Sequence, residues 1–402
     1  MKYLSHIICL LGLINYQLLN AQDVINQEVI NQKGMLLASP LAQFEATSAI
    51  NDMYNFKFEK AKNQFLWFKE KYPNHPMPDF LLGLNEWWQI MPNLEDKSHD
   101  DVFFGYMEAS IEKARLLIKK NEKDPEAAFF LAAAYGFKGR LHGERKHWTK
   151  AALNGKSALN YLKIGKESEV LTPELKFGDA LYNYYSIWIR ENYPLLKPVM
   201  MFFKKGEKSL GLKQLEEVAG NAYYTRTEAQ LFLMRIYRND EKRPDKALAV
   251  SAYLAKTFPD NAYFQRYYAG LTYQMGMLEE TEKVSKQILQ RIETKQAGYE
   301  AVSGRYAAFF MGYLARIRYG NLEEAKKYYQ QSVAFAESTK SYDSGYYLAS
   351  LQDLGQICHT QKDFKNAQKY YQTLKKYSKR KSAQKKEARK HLREYRNMDF
   401  EE

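Results

Sequence analysis

Small and apolar residues recur along this chain at three- and four-residue intervals, with charged residues between them. That is the pattern of helices that bury one face. In 244–261, PDKALAVSAYLAKTFPDN, the residues Ala247, Ser251 and Leu254 share a face, and Pro259 closes the segment. The preceding EAQLFLMRIY, 228–237, predicts a partner helix with Leu233 and Ile236 on its inner side. The next stretch repeats the arrangement through Tyr268, Ala269, Thr272, Gly276, Leu278 and Thr281, with Thr281 falling 34 residues after Ala247. It returns at Gly312, Gly320, Leu322, Ala325 and Tyr329, and again at Leu354, Gly355, Cys358, Phe364, Ala367, Tyr371 and Leu374. In these last two units the spacing stretches to 44 and 42 residues, which predicts longer helices. Nearer the start, Ala61, Phe65, Phe68 and Pro73 fit the second helix of a pair, and Leu131, Ala132, Tyr135 and Gly139 fit a first helix.

Over roughly residues 42–378 this frame resembles that of the tetratricopeptide repeats. The physical logic is packing: small residues let two antiparallel helices approach, aromatics fill the space between pairs, and each pair needs a neighbour to cover its apolar stripe. The resemblance implies an all-α fold, a right-handed solenoid of antiparallel helix pairs with an irregular central region. In that centre, 140–170 reads as one long amphipathic helix. Thr172-Pro173 then starts a helix that is apolar nearly all round, and 192–206 reads as loop.

Composition removes the competing folds. Ten valines stand against 59 aromatics, too few β-branched residues for a sandwich or barrel. All eleven prolines fall at or before Pro259, so the last 143 residues lack the strongest helix breaker. Two cysteines, Cys9 and Cys358, are too few for a disulfide scaffold or a Cys-rich metal site. Cys358 lies in an apolar helical row, which predicts a buried thiol.

The opening MKYLSHIICLLGLINYQLLNAQ has a lysine, an apolar run and a small residue at Ala21, the layout of an export signal. Residues 1–21 are therefore expected to be a signal peptide, 22–41 a lead-in, 42–378 the repeat domain and 379–402 a basic capping helix and tail. The expected location is the periplasm or cell envelope, with the processed protein soluble. Between Lys375 and Arg396 there are eleven Lys/Arg against two Glu. That charge reads first as a solvated final helix and next as a contact for an anionic membrane surface, an acidic glycan or an acidic protein face; export argues against nucleic acid. The apolar 194–203, PLLKPVMMFF, reads as a loop over the core in preference to an exposed wedge.

Catalytic patterns are missing. His142-Gly143-Glu144 lacks the cysteine partners of a zinc deaminase, and His142 and His147 diverge by about 140° on a helix. HExxH, P-loop, GxGxxG and GxSxG patterns do not occur. No cofactor or metal is expected, and a hydrolase on an all-α toroid would need convergent carboxylates that periodicity does not reveal. The resemblance implies a non-enzymatic scaffold that binds a protein or peptide in its concave groove, with glycan binding as the alternative. The groove residues predicted from the repeat frame are Gln230, Tyr237, Arg266, Tyr273, Tyr306, Tyr313, Arg316, Gln352 and His359.

Overall fold

The computed structural model describes residues 35–165, 172–194, 200–201 and 203–397. The expected signal peptide, the start of the lead-in and most of the 194–203 segment lie outside these residues. Among the described residues there are seventeen α-helices and no strand. In chain order they are α1 (Pro40–Tyr54), α2 (Phe58–Lys71), α3 (Pro76–Ile90), α4 (Asp100–Lys120), α5 (Pro125–Glu144) and α6 (Trp148–Gly165). Then come α7 (Thr172–Asn192), α8 (Lys208–Asn221), α9 (Arg226–Asn239), α10 (Pro244–Thr257), α11 (Ala262–Gln274) and α12 (Leu278–Glu293). The last are α13 (Ala301–Ile317), α14 (Leu322–Ser338), α15 (Gly345–Thr360), α16 (Phe364–Tyr377) and α17 (Ala383–Glu394), followed by a 3-10 turn at Tyr395–Asn397.

The chain forms two compact units that are not contiguous in sequence. The first holds residues up to Met53, Phe58–Asn85 and Asp101–Ala229; the second holds Tyr54–Lys57, Glu86–Asp100 and Gln230 onward.

In the first unit α5 packs on α6, α6 on α7, and α7 on α8. The single long helix expected over 140–170 is instead two helices. Lys146 adopts a left-handed φ of 61° and the His147 amide donates to the His142 carbonyl at 2.8 Å, so α6 doubles back along α5. The charged period runs unbroken through this turn; Gly143, whose carbonyl accepts the Lys146 amide at 3.0 Å, is still helical, and the left-handed residue is a lysine, so the pattern alone read as continuous. At Gly211 the helices α7 and α8 are in backbone contact, since a Cβ there would sit 2.5 Å from the Tyr184 nitrogen. Buried carboxylates complete this unit. Glu174 accepts from the backbone amides of Tyr223 (2.6 Å), Tyr224 (3.1 Å) and Thr225 (2.9 Å) and from the Thr225 hydroxyl (2.8 Å), which caps the approach to α9. Glu126 does the same for Leu36 and Leu37 ahead of α1. Asp79, fully buried, pairs with Lys69 and Lys113 at 2.7 and 2.6 Å and so links α2, α3 and α4. In the 192–206 stretch, Arg190 donates to the carbonyls of Met200 and Phe203, both at 2.7 Å.

The second unit carries the regular repeats. Asn261, Asn321, Ser344, Asp363 and Ser382 each start a helix by accepting an amide hydrogen from the third residue on, worth about 1 kcal/mol apiece. The small positions read from the sequence, Ala247, Thr281, Ala325 and Ala367, are all fully buried. Opposite them, Gly312 and Gly355 leave room for rings, since a Cβ would meet Tyr329 at 2.7 Å or Tyr371 at 2.9 Å. Cys358 is buried, as its apolar row predicts. First helices touch one another in sequence, α11 with α13, α13 with α15, and α15 with α17, so their exposed edges form a row. The early segments belong to this unit too: Tyr54 and Trp88 pack edge to face at 5.2 Å, and Trp88 meets Phe264 at 5.3 Å.

Candidate functional site

The row of first helices positions most of the predicted groove residues, and they fall into three local clusters. In the first, Arg266 on α11 is buried. Its Nη1 donates to the Pro92 carbonyl (3.1 Å) and to Ser303 Oγ (3.2 Å), and its guanidinium lies over the rings of Tyr263 and Tyr306 at 5.2 and 5.5 Å. Tyr306 also has Arg305 over its ring at 5.4 Å and meets the edge of Tyr346 at 4.9 Å. Arg305 is only 7% exposed, and its Nε and Nη1 have no hydrogen-bond partner. Burial pushes its pKa down; the neighbouring Tyr306 hydroxyl and the Asp343 carboxylate oppose this, while the like charge of Arg266 adds to it. Glu300, at the head of α13, accepts from Asn93 Nδ2 at 3.1 Å; burial raises its carboxyl despite that bond and the nearby Arg266.

The second cluster centres on Tyr273, which stacks on Phe310 at 4.7 Å and meets Tyr313 edge-on at 5.0 Å. Burial raises the Tyr273 phenol to about 12. Arg316 pairs with Asp353 and donates to Gln356 at 3.1 Å. Gln352 and Gln356 both donate to Glu387 on α17, at 2.5 and 2.8 Å. The third cluster holds His359, whose Nδ1 is 2.6 Å from the Tyr395 hydroxyl and whose ring centroid is 4.7 Å from that of His391.

Two predicted residues stand apart from these clusters. Gln230 is half-buried on α9, and Tyr237 is buried with the Lys246 ammonium over its ring at 5.1 Å. Reading the frame from sequence missed Arg305, Arg238, Asp353, Glu387 and Tyr346. Arg305 and Arg238 are each one residue from a predicted position, and a one-residue shift rotates a side chain by about 100°. Arg238 sits beside Gly270, 3.0 Å from where a Cβ would be, and over Tyr267 at 5.3 Å. Glu387 lies in the basic tail, where charge counting hid it.

Residues 311–374 match the family model for the tetratricopeptide repeat. This stretch is similar to tetratricopeptide repeats. It spans α14, α15, most of α16 and the C-terminal part of α13, and the all-helical architecture of packed helix pairs around it is TPR-like. None of the curated proteins matches the chain. Among solved structures, the human IFIT1 dimer with PPP-AAAA is similar at 12% identity and a TM-score of 0.42, covering 80% of this chain and 68% of that one. Yeast Tom70 is similar at 10% identity and a TM-score of 0.38, covering 92% of this chain and 85% of that one. No described helix is long and apolar enough to cross a membrane.

Proposed function

We propose that the first-helix row of the second unit binds an extended, acidic segment of a partner protein and that the chain is a non-enzymatic scaffold. The observation that carries this reading is Arg305, a buried guanidinium with Nε and Nη1 unpartnered, next to Arg266 and the Tyr306 ring. A buried guanidinium with donors left over beyond its Tyr306 and Asp343 neighbours is costly, so a carboxylate that accepts from it recovers free energy that the unliganded site forgoes. Tyr273, Tyr313 and the Gln352–Gln356 pair extend the row with rings and amides suited to peptide backbone. The glycan alternative is less well supported, because sugar stacking needs an open ring face and Tyr273 already stacks on Phe310.

The partner is proposed to lie in the cell envelope, which rests on the leader read in residues 1–21. Intact-mass measurement of the protein from an envelope fraction tests it; a mass retaining those residues refutes export. The binding reading is tested with a panel of acidic, neutral and basic peptides on wild type, Arg305→Met and Arg266→Ala/Tyr313→Ala, each shown to be folded by circular dichroism. Acidic peptides should be enriched on wild type, and Arg305→Met should weaken them by about tenfold, the worth of a lost charged hydrogen bond. Equal capture by wild type and both variants would move the site off this row.

A further inference from the structure

His359 ends α15 and faces α17, where His391 and Glu394 stand three residues apart on one side of the helix. One donor atom from each of the three lies within 4.8 Å of the other two. His391 Nδ1 is 2.9 Å from a Glu394 carboxylate oxygen, and the Tyr395 hydroxyl reaches His359 Nδ1 at 2.6 Å. We propose that His359, His391 and Glu394 form a divalent transition-metal site of the zinc type, with the Tyr395 oxygen or a water as fourth ligand.

The donor chemistry selects the metal. Two imidazoles and one carboxylate suit zinc and its neighbours, whereas magnesium and calcium require mostly oxygen. A tetrahedral zinc with bonds of about 2.0–2.1 Å holds its donors about 3.3 Å apart, so the three groups must close by at most about 1.5 Å. Side-chain rotation covers that distance without moving either helix. The metal would replace the His391–Glu394 and His359–Tyr395 hydrogen bonds by ligand bonds. His391 stacks on Tyr371 at 4.6 Å and His359 meets Phe364 at 5.7 Å, so the two rings are held by an aromatic wall. Such packing limits the freedom lost on binding. Access is open, since the Glu394 side chain is 39% exposed. Neighbouring Arg393 and Lys390 oppose a cation, and Glu394 with Glu387 offsets them locally. A filled site would pin α17, the basic final helix, to the end of α15. The proposal is independent of peptide binding along the row.

The test uses the full chain without a polyhistidine tag, stripped with a chelator and titrated with zinc chloride by calorimetry. One saturable equivalent in the micromolar range or tighter is expected, with cobalt substitution giving the intense visible band of a four-coordinate ion. His359→Ala and Glu394→Gln should each weaken zinc by about tenfold or more. Zinc should also slow hydrogen exchange across 383–394 in wild type and leave it unchanged in Glu394→Gln. Glu394 is at the exposed rim, so this variant stays folded where His391→Asn, which removes the stack on Tyr371, risks loosening α17. No saturable binding, or equal affinity in His359→Ala and Glu394→Gln, overturns the site.

Discussion

Replacing Gly312 by alanine tests the close-packing logic of the repeats at its tightest point. An added Cβ would lie 2.7, 2.8 and 3.1 Å from three carbons of the Tyr329 ring, where about 3.5–4.0 Å is comfortable. Tyr329 is fully buried and backed by Phe309, with ring centroids 5.8 Å apart, so its retreat is limited. Two effects of opposite sign then compete. Alanine gains about 0.8–1 kcal/mol of helix propensity over glycine, while overpacking costs about 1–3 kcal/mol. The net expectation is a loss of roughly 0–2 kcal/mol, too broad to be decisive alone. A double-mutant cycle with Tyr329→Leu removes the ambiguity, because the propensity gain is common to both backgrounds and cancels. The coupling should be about 1–3 kcal/mol, and in the leucine background Gly312→Ala should be stabilising. Native-state hydrogen exchange over residues 301–338 reads the local opening free energy of α13 and α14 without assuming that both units melt together. A coupling below about 0.5 kcal/mol would refute the assigned contact, because alanine would then fit as well with the ring as without it.

Two further outcomes follow from buried carboxylates. Glu174→Ala strips three amides and one hydroxyl of their acceptor and should cost the first unit about 3 kcal/mol, with Glu174→Gln losing roughly half of that; urea melting checks both, and a cost below 1 kcal/mol for alanine contradicts the capping role. Glu300 has a carboxyl raised above its ordinary 4.5, chiefly by burial, so the folded state holds a proton that the unfolded state releases. Its favourable contribution is complete below 4.5 and is lost as pH rises through the folded pKa, so the stability of Glu300→Gln relative to wild type should grow from pH 4 towards 7; a shrinking difference has the wrong sign for burial.

What was legible in the sequence was what local packing dictates. Ala247, Thr281, Ala325 and Ala367 were readable because only small residues permit helices to approach so closely, and each is fully buried. Gly312 and Gly355 were readable for the same reason. The turn at Lys146 was not, because a lysine at positive φ carries no compositional mark. Of the residues predicted for the groove, Arg266, Tyr306, Tyr273 and Tyr313 lie along the row of first helices, whereas Arg305, on which the proposed binding rests, lies one register step away. Period finds a helix face to within a residue, and one residue decides which side chain faces the row. The Gln352–Glu387 and His359–His391 contacts join the row to α17, and repeat spacing has no term for a final helix of different composition.

The interleaving of the two units has a consequence for synthesis. Tyr54, Asn55 and Trp88 complete their packing only with residues around 260: the Asp260 amide bonds Asn55 across 205 positions, and Asn261 reaches the Tyr54 carbonyl across 207. A chain growing at about 5–20 residues per second therefore keeps that aromatic cluster without its partners for roughly 10–40 seconds. A repeat array whose pairs touch only their neighbours settles as it emerges; this one must carry an unfinished hydrophobic seam through half its own translation. During that interval it depends on whatever shields nascent chains, and a ribosome that pauses between positions 90 and 260 lengthens the exposure directly.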